Sequence, residues 1–500
     1  MPSEEELIAE RKRKREDLFA ANVNPYPYTF DKSHTSSHLQ EKYKNLANES
    51  QTKDNVKIAG RIISLRRMGK ATFAHLLDEQ GKIQAYFKFD DLKNYDHIKL
   101  IDMGDWLGVE GTIFKTKTGE VTVWAKKFEI LCKALRPLPE KWHGLTDIEQ
   151  RYRKRYVDLI MNPDIRDVFK KRAKIVSTIR AELDKRGFLE ADTPIIQTIY
   201  GGASAKPFTT HINTLKMDVY LRIATELHLK RLLVGGLEKV YEIGKLFRNE
   251  DADRTHNPEF TSIEIYQAHT DLDGMKELIM DLYIAAAKAI HGSTKFEFQG
   301  NIIDVKKPWS SYSMAESLKK FANIDAENIS EKELSRLCAQ HKAKLEKDAS
   351  KGMMIQALFE EIVEKKLIQP TFITHHPIES TPLAKQCREP HLHENFVERF
   401  EPFICGMEVG NAYSELNDPI VQRNLLEDQA KQLRAGSEEA HPMDEDFVQA
   451  IEYGMPPAGG LGVGIDRMVM LITNNPSIRD VLFFPFMAKI AESDKKSSDF

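Results

Sequence analysis

A block of short alternating stretches between residues 56 and 132 limits the fold more than any other feature of the sequence. Apolar and polar residues alternate there, which predicts half-buried β-strands, and turn signals at Gly81 and Gly119 separate some of them. About five strands with one helical insertion fit a small Greek-key barrel of the oligonucleotide-binding (OB) kind. Such a barrel either binds nucleic acid or is purely structural, and the pattern leaves both open. The predicted strands cover residues 56–62, 73–77, 83–87, 106–113 and 121–131, and the insertion lies near residues 91–101.

The segments on either side of the barrel differ from it in pattern. Residues 1–50 begin with a charged helical stretch that two prolines interrupt, so we expect a leader outside the core. The barrel, residues 51–134, is followed by a stiff proline-containing linker, residues 135–150, and then by alternating helices and strands over residues 151–500. This order predicts the α+β class. Within the last segment we expect a helix at 163–186, strand pairs within 240–267 and 396–416, and a mostly helical part at 314–366.

The charge balance does not indicate a polyanion partner. Lys and Arg number 72 against 76 Asp and Glu, a net charge of −4. Basic clusters at residues 11–15 and 151–155 could still contact phosphate, or each could be a solvated helix face. The four cysteines are scattered, which argues against a zinc site or disulfides and favours a reducing cytoplasm. No apolar run approaches the roughly 20 residues of a membrane span, and the N-terminus lacks a signal-peptide pattern.

Two neighbouring strands around residue 250 carry side chains typical of a binding site. Alternation places Arg248 and Glu250 on one face of the first strand, and Phe260, Glu264 and Tyr266 on one face of the second. A guanidinium binds phosphate or carboxylate, an aromatic face stacks on a base, and a carboxylate binds an ammonium. The intervening residues of the second strand are mostly apolar and predict a core face. An ordinary half-buried strand would show the same alternation, and on spacing alone it is the favoured interpretation.

A glycine-rich stretch lies near the C-terminus, at residues 459–464, and Arg467 follows it. Glycines let a flat base or a phosphate approach the backbone, and an arginine near a helix start adds charge where anions already bind. Tight packing between strand and helix would explain the same glycines. The stretch has the spacing of neither a P-loop nor a dinucleotide fingerprint.

Residues 401–415 contain several carboxylates in an otherwise apolar stretch. Buried acids need cations, so Glu401 and Glu408 could hold Mg²⁺ and Glu415 could pair with an amine. Strict alternation separates Glu408 from Glu415, so a common site requires a bulge near Gly410. The alternative is a salt-bridged surface hairpin.

These segments together resemble the motifs of the class II aminoacyl-tRNA synthetases. The second motif of that family is Phe-Arg-x-Glu, found here at residues 247–250, and the third is a glycine-rich strand ending in arginine, found at 459–467. Residues 187–194 resemble the first motif, a dimer-interface element, so the resemblance implies a homodimer. The implied fold is an N-terminal five-stranded OB barrel followed by a catalytic domain built on an antiparallel β-sheet flanked by helices. Further segments resemble the lysyl-tRNA synthetases in particular: residues 201–208, 222–227, 255–260, 382–385 and 411–418.

The resemblance also implies roles for individual residues. Arg248 would be catalytic at the α-phosphate and the lysine carboxylate, and Arg467 at the γ-phosphate, while Glu401 and Glu408 would hold Mg²⁺. The residues expected to bind ATP are Arg248, Asn249, Glu250, His256, Asn257, Phe260, Glu408, Val409, Gly464, Ile465, Asp466 and Arg467. The residues expected to bind lysine are Gly202, Glu226, Arg248, Glu264, Tyr266, Asn411, Tyr413 and Glu415, with Tyr266 and Glu415 at the ε-ammonium.

The implied activity is that of a lysine-specific synthetase. Such an enzyme forms lysyl-adenylate and pyrophosphate from L-lysine and ATP, then transfers lysine to the 3′ end of tRNA(Lys) and releases AMP. In the barrel, Phe73, Gln84 and Glu129 match positions that related synthetases use to read the central anticodon uridine. A core phenylalanine and surface polar residues would give the same pattern. The short leader favours a cytoplasmic enzyme of the bacterial type.

Two alternatives remain open on the sequence. Aspartyl- and asparaginyl-tRNA synthetases share the barrel and all three motifs, but an aspartate site needs cations, and Glu226, Glu264 and Glu415 would repel that substrate. A non-catalytic tRNA-binding or signalling paralogue is the second alternative. Such chains usually lose an ATP-binding arginine or a metal-binding carboxylate, whereas this sequence retains both arginines and both carboxylates.

Overall fold

The computed structural model describes residues 2–139, 145, 147–345, 349–436 and 440–489. The chain divides into two compact units, Met1–Thr146 and Asp147–Phe500. Each cluster of buried apolar residues lies within one unit or the other. Among the described residues, no helix combines the length and the apolar character that crossing a membrane requires.

The first unit is a closed five-stranded barrel preceded by two helices, as far as the structure describes it. The helices are α1 (Glu4–Ala20) and α2 (Ser36–Lys42), and the strands are β1 (Gln51–Met68), β2 (Ala71–Leu77), β3 (Lys82–Lys88), β4 (Trp106–Lys115) and β5 (Val121–Cys132). The strand order is β1-β2-β3-β5-β4, with β3 and β5 parallel and the other pairs antiparallel. The predicted insertion is a pair of 3₁₀ turns at Phe89–Asp91 and Tyr95–Leu100. The predicted OB barrel is therefore confirmed.

The two N-terminal helices contribute to the barrel core. Leu18 on α1 and Leu39 on α2 are 0% exposed and belong to the same apolar cluster as the inward-facing strand residues. Tyr43, directly after α2, joins them. The expectation that residues 1–50 form a leader outside the core is wrong. Each helix buries only one apolar side chain, so its mostly polar sequence does not indicate the contact.

The strands of the second unit form a large mixed sheet and two smaller sheets. They are β6 (Leu189–Glu190), β7 (Ile196–Gln197), β8 (Thr209–Ile212), β9 (Met217–Leu221), β10 (Lys239–Phe247), β11 (Glu259–Ala268), β12 (Lys295–Phe298), β13 (Asn301–Asp304), β14 (Ser310–Ser313), β15 (Thr371–Pro377), β16 (Phe396–Ile404), β17 (Met407–Glu408), β18 (Gly410–Ser414) and β19 (Ala458–Gly464).

The large sheet has the order β14-β15-β16-β18-β19-β11-β10-β6, and β17 also pairs with β16. Its central pairs are antiparallel, and the pairs at its two ends, β14 with β15 and β6 with β10, are parallel. The predicted α+β class with a barrel and a separate helix-flanked sheet is confirmed. The sheet is mixed because parallel strands extend an antiparallel centre.

Helices cover one face of this sheet, and they cover the other face only in part, leaving the rest of it open. The helices are α3 (Ile148–Arg153), α4 (Arg155–Met161), α5 (Pro163–Lys185), α6 (Glu226–Val234), α7 (Leu272–His291), α8 (Met314–Ala322), α9 (Glu331–His341), α10 (Lys351–Ile362), α11 (Pro419–Arg434), α12 (Glu445–Glu452), α13 (Ile465–Ile472) and α14 (Ile478–Val481), with 3₁₀ turns at Glu364–Lys366 and Ile378–Ser380. Apolar residues of α5, α7 and α13 share a buried cluster with Ile263, Ile265 and Val463 from the sheet. The core face predicted for β11 is therefore confirmed. The helix α5 and the helical segment α8 to α10 also lie where the sequence predicts them.

Candidate active site

A cavity of about 600 Å³ lies over the open face of the large sheet in the second unit. Such a volume suits a small-molecule substrate. Strands β11, β16, β18 and β19, the start of α6 and the loop after β10 line it. The predicted site residues on its wall are Gly202, Glu226, Arg248, Glu250, His256, Asn257, Phe260, Glu264, Tyr266, Glu401, Glu408, Val409, Asn411, Tyr413, Gly464, Asp466 and Arg467.

Three predicted site residues do not line this cavity. Asn249 lines a neighbouring cavity instead, and Ile465 is 0% exposed in the core below the sheet. Glu415 is also 0% exposed and lies behind the cavity wall, paired with Lys230. Arg248 and Glu250 reach the cavity from the loop that follows β10, which ends at Phe247. Strand alternation therefore does not explain their common direction.

Carboxylates crowd one end of the cavity. Glu226 on α6, Glu264 on β11 and Glu415 after β18 are 3%, 7% and 0% exposed. The ammonium of Lys230 lies 2.6 Å from Glu226 Oε1 and also pairs with Glu415. Glu415 Oε1 is buried without a hydrogen-bond donor among the described residues. Two of the three carboxylates, Glu226 and Glu415, therefore share the ammonium of Lys230, and Glu264 has no ion pair with it.

Burial dominates the titration of this acidic group. It raises the pKa of Glu264 to about 7, although the backbone N–H of Thr225 donates to Oε1 at 3.0 Å and opposes the shift. Burial likewise raises the pKa of Glu415 and of Glu226, and the ammonium of Lys230 opposes both shifts. A bound cation would favour the ionised carboxylates. This end of the cavity therefore has an electrostatic preference for ammonium groups.

Aromatic and amide groups complete the wall beside the carboxylates. Burial raises the pKa of Tyr266 well above its usual value, so its hydroxyl stays neutral, and it lies 3.4 Å from Glu264 Oε2. The amide of Asn411 donates to the Tyr413 hydroxyl at 2.8 Å and accepts from Arg399 Nε at 3.0 Å. These contacts hold the polar ends of two aromatic side chains toward the same space.

Arginines define the opposite end of the cavity. Arg248 Nε is buried without a hydrogen-bond partner among the described residues, and its guanidinium lies 5.2 Å from the centre of the Phe260 ring. Arg467 Nη2 donates to His256 Nε2 at 3.3 Å. An unsatisfied buried guanidinium is costly unless an anion binds it. This end therefore suits phosphate or carboxylate groups beside an aromatic face.

Two more carboxylates lie between the ends. Glu401 pairs with Arg399, and Glu408 Oε2 lies 3.5 Å from Arg467 Nη1. Burial and the nearby Glu401 raise the pKa of Glu408. The strand breaks at Val409, between β17 and β18, so that Glu408 and Asn411 line the same cavity. The irregularity predicted near Gly410 is thus present, one residue earlier.

Two of the predicted ATP-binding residues have structural partners. Asp466 is 2% exposed, accepts from the Thr261 backbone at 2.7 Å and pairs with Arg172 on α5. The Asn257 amide donates to the Glu259 carbonyl at 2.6 Å. Both side chains therefore help to fix the conformation of the cavity wall.

Sequence reasoning missed three side chains of this region. Arg399 lines the cavity, and its position two residues before Glu401 on β16 was a usable signal, because such residues share a strand face. Lys230 lies one helical turn after Glu226, which is also a recognisable spacing. His441 is 3% exposed at the cavity wall, and burial lowers its pKa to about 4. No local pattern marks His441.

The barrel carries a separate polar and aromatic cavity of about 600 Å³. Phe73 and Gln84 line it, together with Tyr86, whose ring centre is 4.7 Å from that of Phe73. Gln84 Nε2 donates to Glu120 Oε2 at 2.7 Å. The third predicted residue, Glu129, does not lie with them: it is exposed on β5 opposite Gly108 and is absent from the cavity wall. Glu120, in the turn before β5, is the carboxylate beside Gln84.

Comparison with known families defines the class of protein. The family described as tRNA synthetases class II (D, K and N) matches residues 147–488, which is more than half of the chain. The family described as OB-fold nucleic acid binding domain matches residues 56–131. The two matches correspond to the mixed sheet with its cavity and to the barrel. Together they define a class II tRNA synthetase with an OB-fold domain.

Individual relatives narrow the class further. The lysine–tRNA ligase of Pelotomaculum thermopropionicum is 50% identical over 488 residues, covering 96% of this chain and 95% of that protein. The lysine–tRNA ligase of Oceanobacillus iheyensis is 49% identical over 482 residues, covering 95% and 97%. That of Moorella thermoacetica is 47% identical over 490 residues, covering 97% and 99%. The chain belongs to the lysine–tRNA ligase family of the class II tRNA synthetases.

Proposed function

We propose that this protein activates L-lysine with ATP and attaches it to tRNA(Lys). The observation that carries the proposal is the charge distribution of the cavity. Glu226 and Glu264 line one end, where Lys230 pairs with Glu226 and with Glu415 behind the wall, and Arg248 and Arg467 line the other end. Lysine has two ammonium groups and ATP has a triphosphate, so both substrates match the ends that they would occupy. This match also supports lysine over aspartate or asparagine.

Lysine binds at the acidic end. Its α-ammonium lies near Gly202, Glu226 and Glu264, and its ε-ammonium lies near Tyr266 and Glu415. The unpartnered Oε1 of Glu415 supports this role, because a buried oxygen without a donor favours an ammonium ligand. Access to Glu415 requires a small shift of the wall, since the residue is 0% exposed. Arg248 and Asn411 bind the lysine carboxylate.

ATP binds at the arginine end. Phe260 stacks on adenine, and the unsatisfied Nε of Arg248 supports an anionic ligand beside that ring. Arg467 binds the γ-phosphate, with Glu250, His256 and Asn257 around the nucleotide. Val409, Gly464 and Asp466 form the adjoining wall. Asn249 and Ile465 lie outside the cavity, so we assign them no direct contact.

Glu401 and Glu408 are the residues that would hold Mg²⁺. Both line the cavity, and burial, with the charge of Glu401 as a second cause, raises the pKa of Glu408, so a bound cation would favour its ionised form. Two carboxylates plus substrate phosphates form a common oxygen donor set for Mg²⁺. When bound, Mg²⁺ supplies positive charge that neutralises the phosphates of ATP.

The residues act by positioning and electrostatics. A carboxylate oxygen of lysine attacks the α-phosphorus, the bond from that phosphorus to its bridging oxygen breaks, and pyrophosphate leaves. Arg248 contacts both reacting groups and stabilises the charge that builds between them. In the second step a hydroxyl at the 3′ end of tRNA attacks the carbonyl carbon of lysyl-adenylate, and AMP leaves.

The barrel within residues 51–134 binds the anticodon. Phe73 stacks on a base, and Gln84 with Glu120 reads its polar edge; their shared cavity and hydrogen bond support this assignment. Glu120 replaces Glu129 in this role. The helices of residues 1–50 belong to the same unit, and the catalytic domain lies in the unit that begins at Asp147. The predicted linker, residues 135–150, lies partly outside the described residues, and its last three residues belong to α3.

The protein is a cytoplasmic homodimer in this proposal. Leu189 in the motif 1 segment, Ile195 and Ile196 directly after it, and Phe484 near the C-terminus are large apolar side chains that are 44% to 75% exposed. A second copy of the chain would cover such residues. Sedimentation of the purified protein tests this point, and a monomer at micromolar concentration would contradict it.

Charging of tRNA by the purified protein tests the proposed function. We expect attachment of lysine to tRNA(Lys), with ATP consumed to AMP. Attachment of aspartate or asparagine instead would support the neighbouring specificities within the family. No attachment of any amino acid would support a tRNA-binding paralogue without activity.

A further inference from the structure

Lys230 is a buried cation beside the amino-acid end of the cavity. Its side chain is 0% exposed on α6, where it pairs with Glu226 one turn earlier and with Glu415 after β18. It is absent from the cavity wall, so it does not contact a ligand there directly. Burying an ammonium is costly unless carboxylates compensate it. Lys230 therefore acts, if at all, through the two carboxylates that it joins.

The charged groups around Lys230, Glu226 and Glu415 come from several neighbouring elements. Helix α6 provides Glu226 and Lys230, β11 provides Glu264, and Glu415 follows β18. Other groups facing the pair are the neutral hydroxyls of Tyr266 and Tyr413, Arg399, which is itself paired with Glu401, and His441. The three carboxylates and one ammonium leave two negative charges unmatched within this group. Lysine is the amino acid whose two ammonium groups match that number.

We propose that Lys230 is a positioning residue that sets the charge of the amino-acid site. Its ammonium holds Glu226 and Glu415 in place as carboxylates, and it leaves two negative charges for a substrate with two ammonium groups. The proposal rests on the proposed function. Without Lys230, three buried carboxylates would face one another, and at least one would take up a proton and lose its attraction for lysine.

The test is Lys230→Met in the full chain, followed by lysine-dependent exchange of pyrophosphate into ATP between pH 6 and 9. We expect the KM for lysine at pH 7 to rise at least tenfold and the KM for ATP to change less than twofold. The plot of log KM for lysine against pH should have its break at least one pH unit higher than in the unaltered protein. The direction follows because loss of the ammonium raises the pKa of the carboxylates that it paired with.

A matched control separates this effect from the loss of a buried ion pair. Lys133 in the barrel unit is also 0% exposed and lies 2.6 Å from Asp102 and 2.8 Å from Asp105. Lys133→Met should lower the melting temperature without changing the KM for lysine or the pH of the break. A purely structural Lys230 would behave in the same way as Lys133.

A second comparison covers the case in which Lys230→Met does not fold. Glu226→Gln alone removes a repelling carboxylate, so the break should move to lower pH. Adding Lys230→Met leaves two carboxylates and no ammonium, which is the same net charge as in the unaltered protein. The break in the plot of log KM for lysine should then move back to higher pH by at least one unit. Equal breaks in Glu226→Gln and in the double variant would overturn the proposal, as would an unmoved break in a folded Lys230→Met variant. Absence of lysine-dependent exchange in the unaltered protein would instead overturn the proposed function and this role with it.

Discussion

At the residue scale, Glu264 combines burial with a hydrogen bond from the backbone. It is 7% exposed, and the Thr225 N–H donates to one oxygen. Burial raises the pKa of this carboxyl to about 7, so its charge changes close to neutral pH. A protonated carboxyl does not attract an ammonium. Lysine binding and proton release from Glu264 are therefore coupled.

We expect the affinity for lysine to depend on pH for this reason. The KM for lysine should fall as pH rises from 6 toward 8, because the carboxylates become ionised, and it should level off above the range in which they titrate. The KM for ATP should not depend on pH in this way, because the phosphates of ATP face guanidinium groups rather than these carboxylates. Exchange of pyrophosphate into ATP at varied lysine concentration measures both constants. Glu264→Gln should raise the KM for lysine and make it depend less on pH. A KM for lysine in the unaltered protein that is constant from pH 6 to 8 would refute the coupling.

Single residues also show where sequence reasoning succeeds and fails. Phe260, Glu264 and Tyr266 were predicted from period-two alternation, and they line one cavity because β11 is regular throughout. The resemblance groups Glu129 with Phe73 and Gln84 as anticodon-reading positions, but the carboxylate beside Gln84 is that of Glu120. Glu120 precedes β5 in a turn, where alternation gives no direction for a side chain. Resemblance alone therefore did not distinguish two acids on the same hairpin.

At the element scale, the glycine-rich strand β19 owes its composition to close neighbours. A Cβ at Gly460 would lie 1.8 Å from Glu415 Oε1 and 2.6 Å from the Tyr266 ring. A Cβ at Gly462 would lie 3.9 Å from its nearest neighbours, the Asn411 carbonyl oxygen and Glu264 Cγ, which is ordinary van der Waals contact. Gly460 therefore makes room for the carboxylate that we assign to the lysine ε-ammonium.

Alanine substitutions on this strand should differ accordingly. Gly460→Ala should lower the free energy of unfolding by about 1–3 kcal/mol through overpacking, and it should raise the KM for lysine. Gly462→Ala should leave stability within about 1 kcal/mol of the unaltered protein. Urea denaturation of both variants gives the comparison. Equal stabilities would mean that Glu415 can move aside at little cost.

Helices with a strong apolar periodicity were predictable from the sequence. Contacts that helices make with residues far away in the sequence were not. The amphipathic helix α5 was expected at residues 163–186 and covers Pro163–Lys185. Helix α1 has a mostly charged sequence, so its insertion of Leu18 into the barrel core was not expected. Helix α10 supplies Met353 and Gln356 to the active-site cavity, although nothing in its sequence indicates a site. Such contacts depend on tertiary packing, which local patterns do not encode.

At the scale of the whole molecule, two units with separate cores carry two separate sites. The cavity over the mixed sheet binds the small substrates, and the barrel cavity around Phe73 binds tRNA in our proposal. Amino-acid activation needs no tRNA contact in the barrel. The two activities should therefore respond independently to substitution.

Phe73→Ala should separate them. Loss of one aromatic stacking contact costs about 1–3 kcal/mol, or about 5- to 150-fold in affinity, so the KM for tRNA(Lys) in charging assays should rise by a factor in that range. Exchange of pyrophosphate into ATP, measured without tRNA, should stay within twofold. The exposed Glu129→Gln is the matched control, and it should change neither activity. A loss of exchange in Phe73→Ala would contradict the independence of the two sites.

The central claim is that the acidic end of the cavity selects lysine for activation. Amino-acid-dependent exchange of pyrophosphate into ATP by the purified full-length protein tests it most directly. The account predicts exchange with L-lysine and none above background with L-aspartate or L-asparagine. Exchange that prefers aspartate or asparagine, or no exchange with any amino acid, would contradict it.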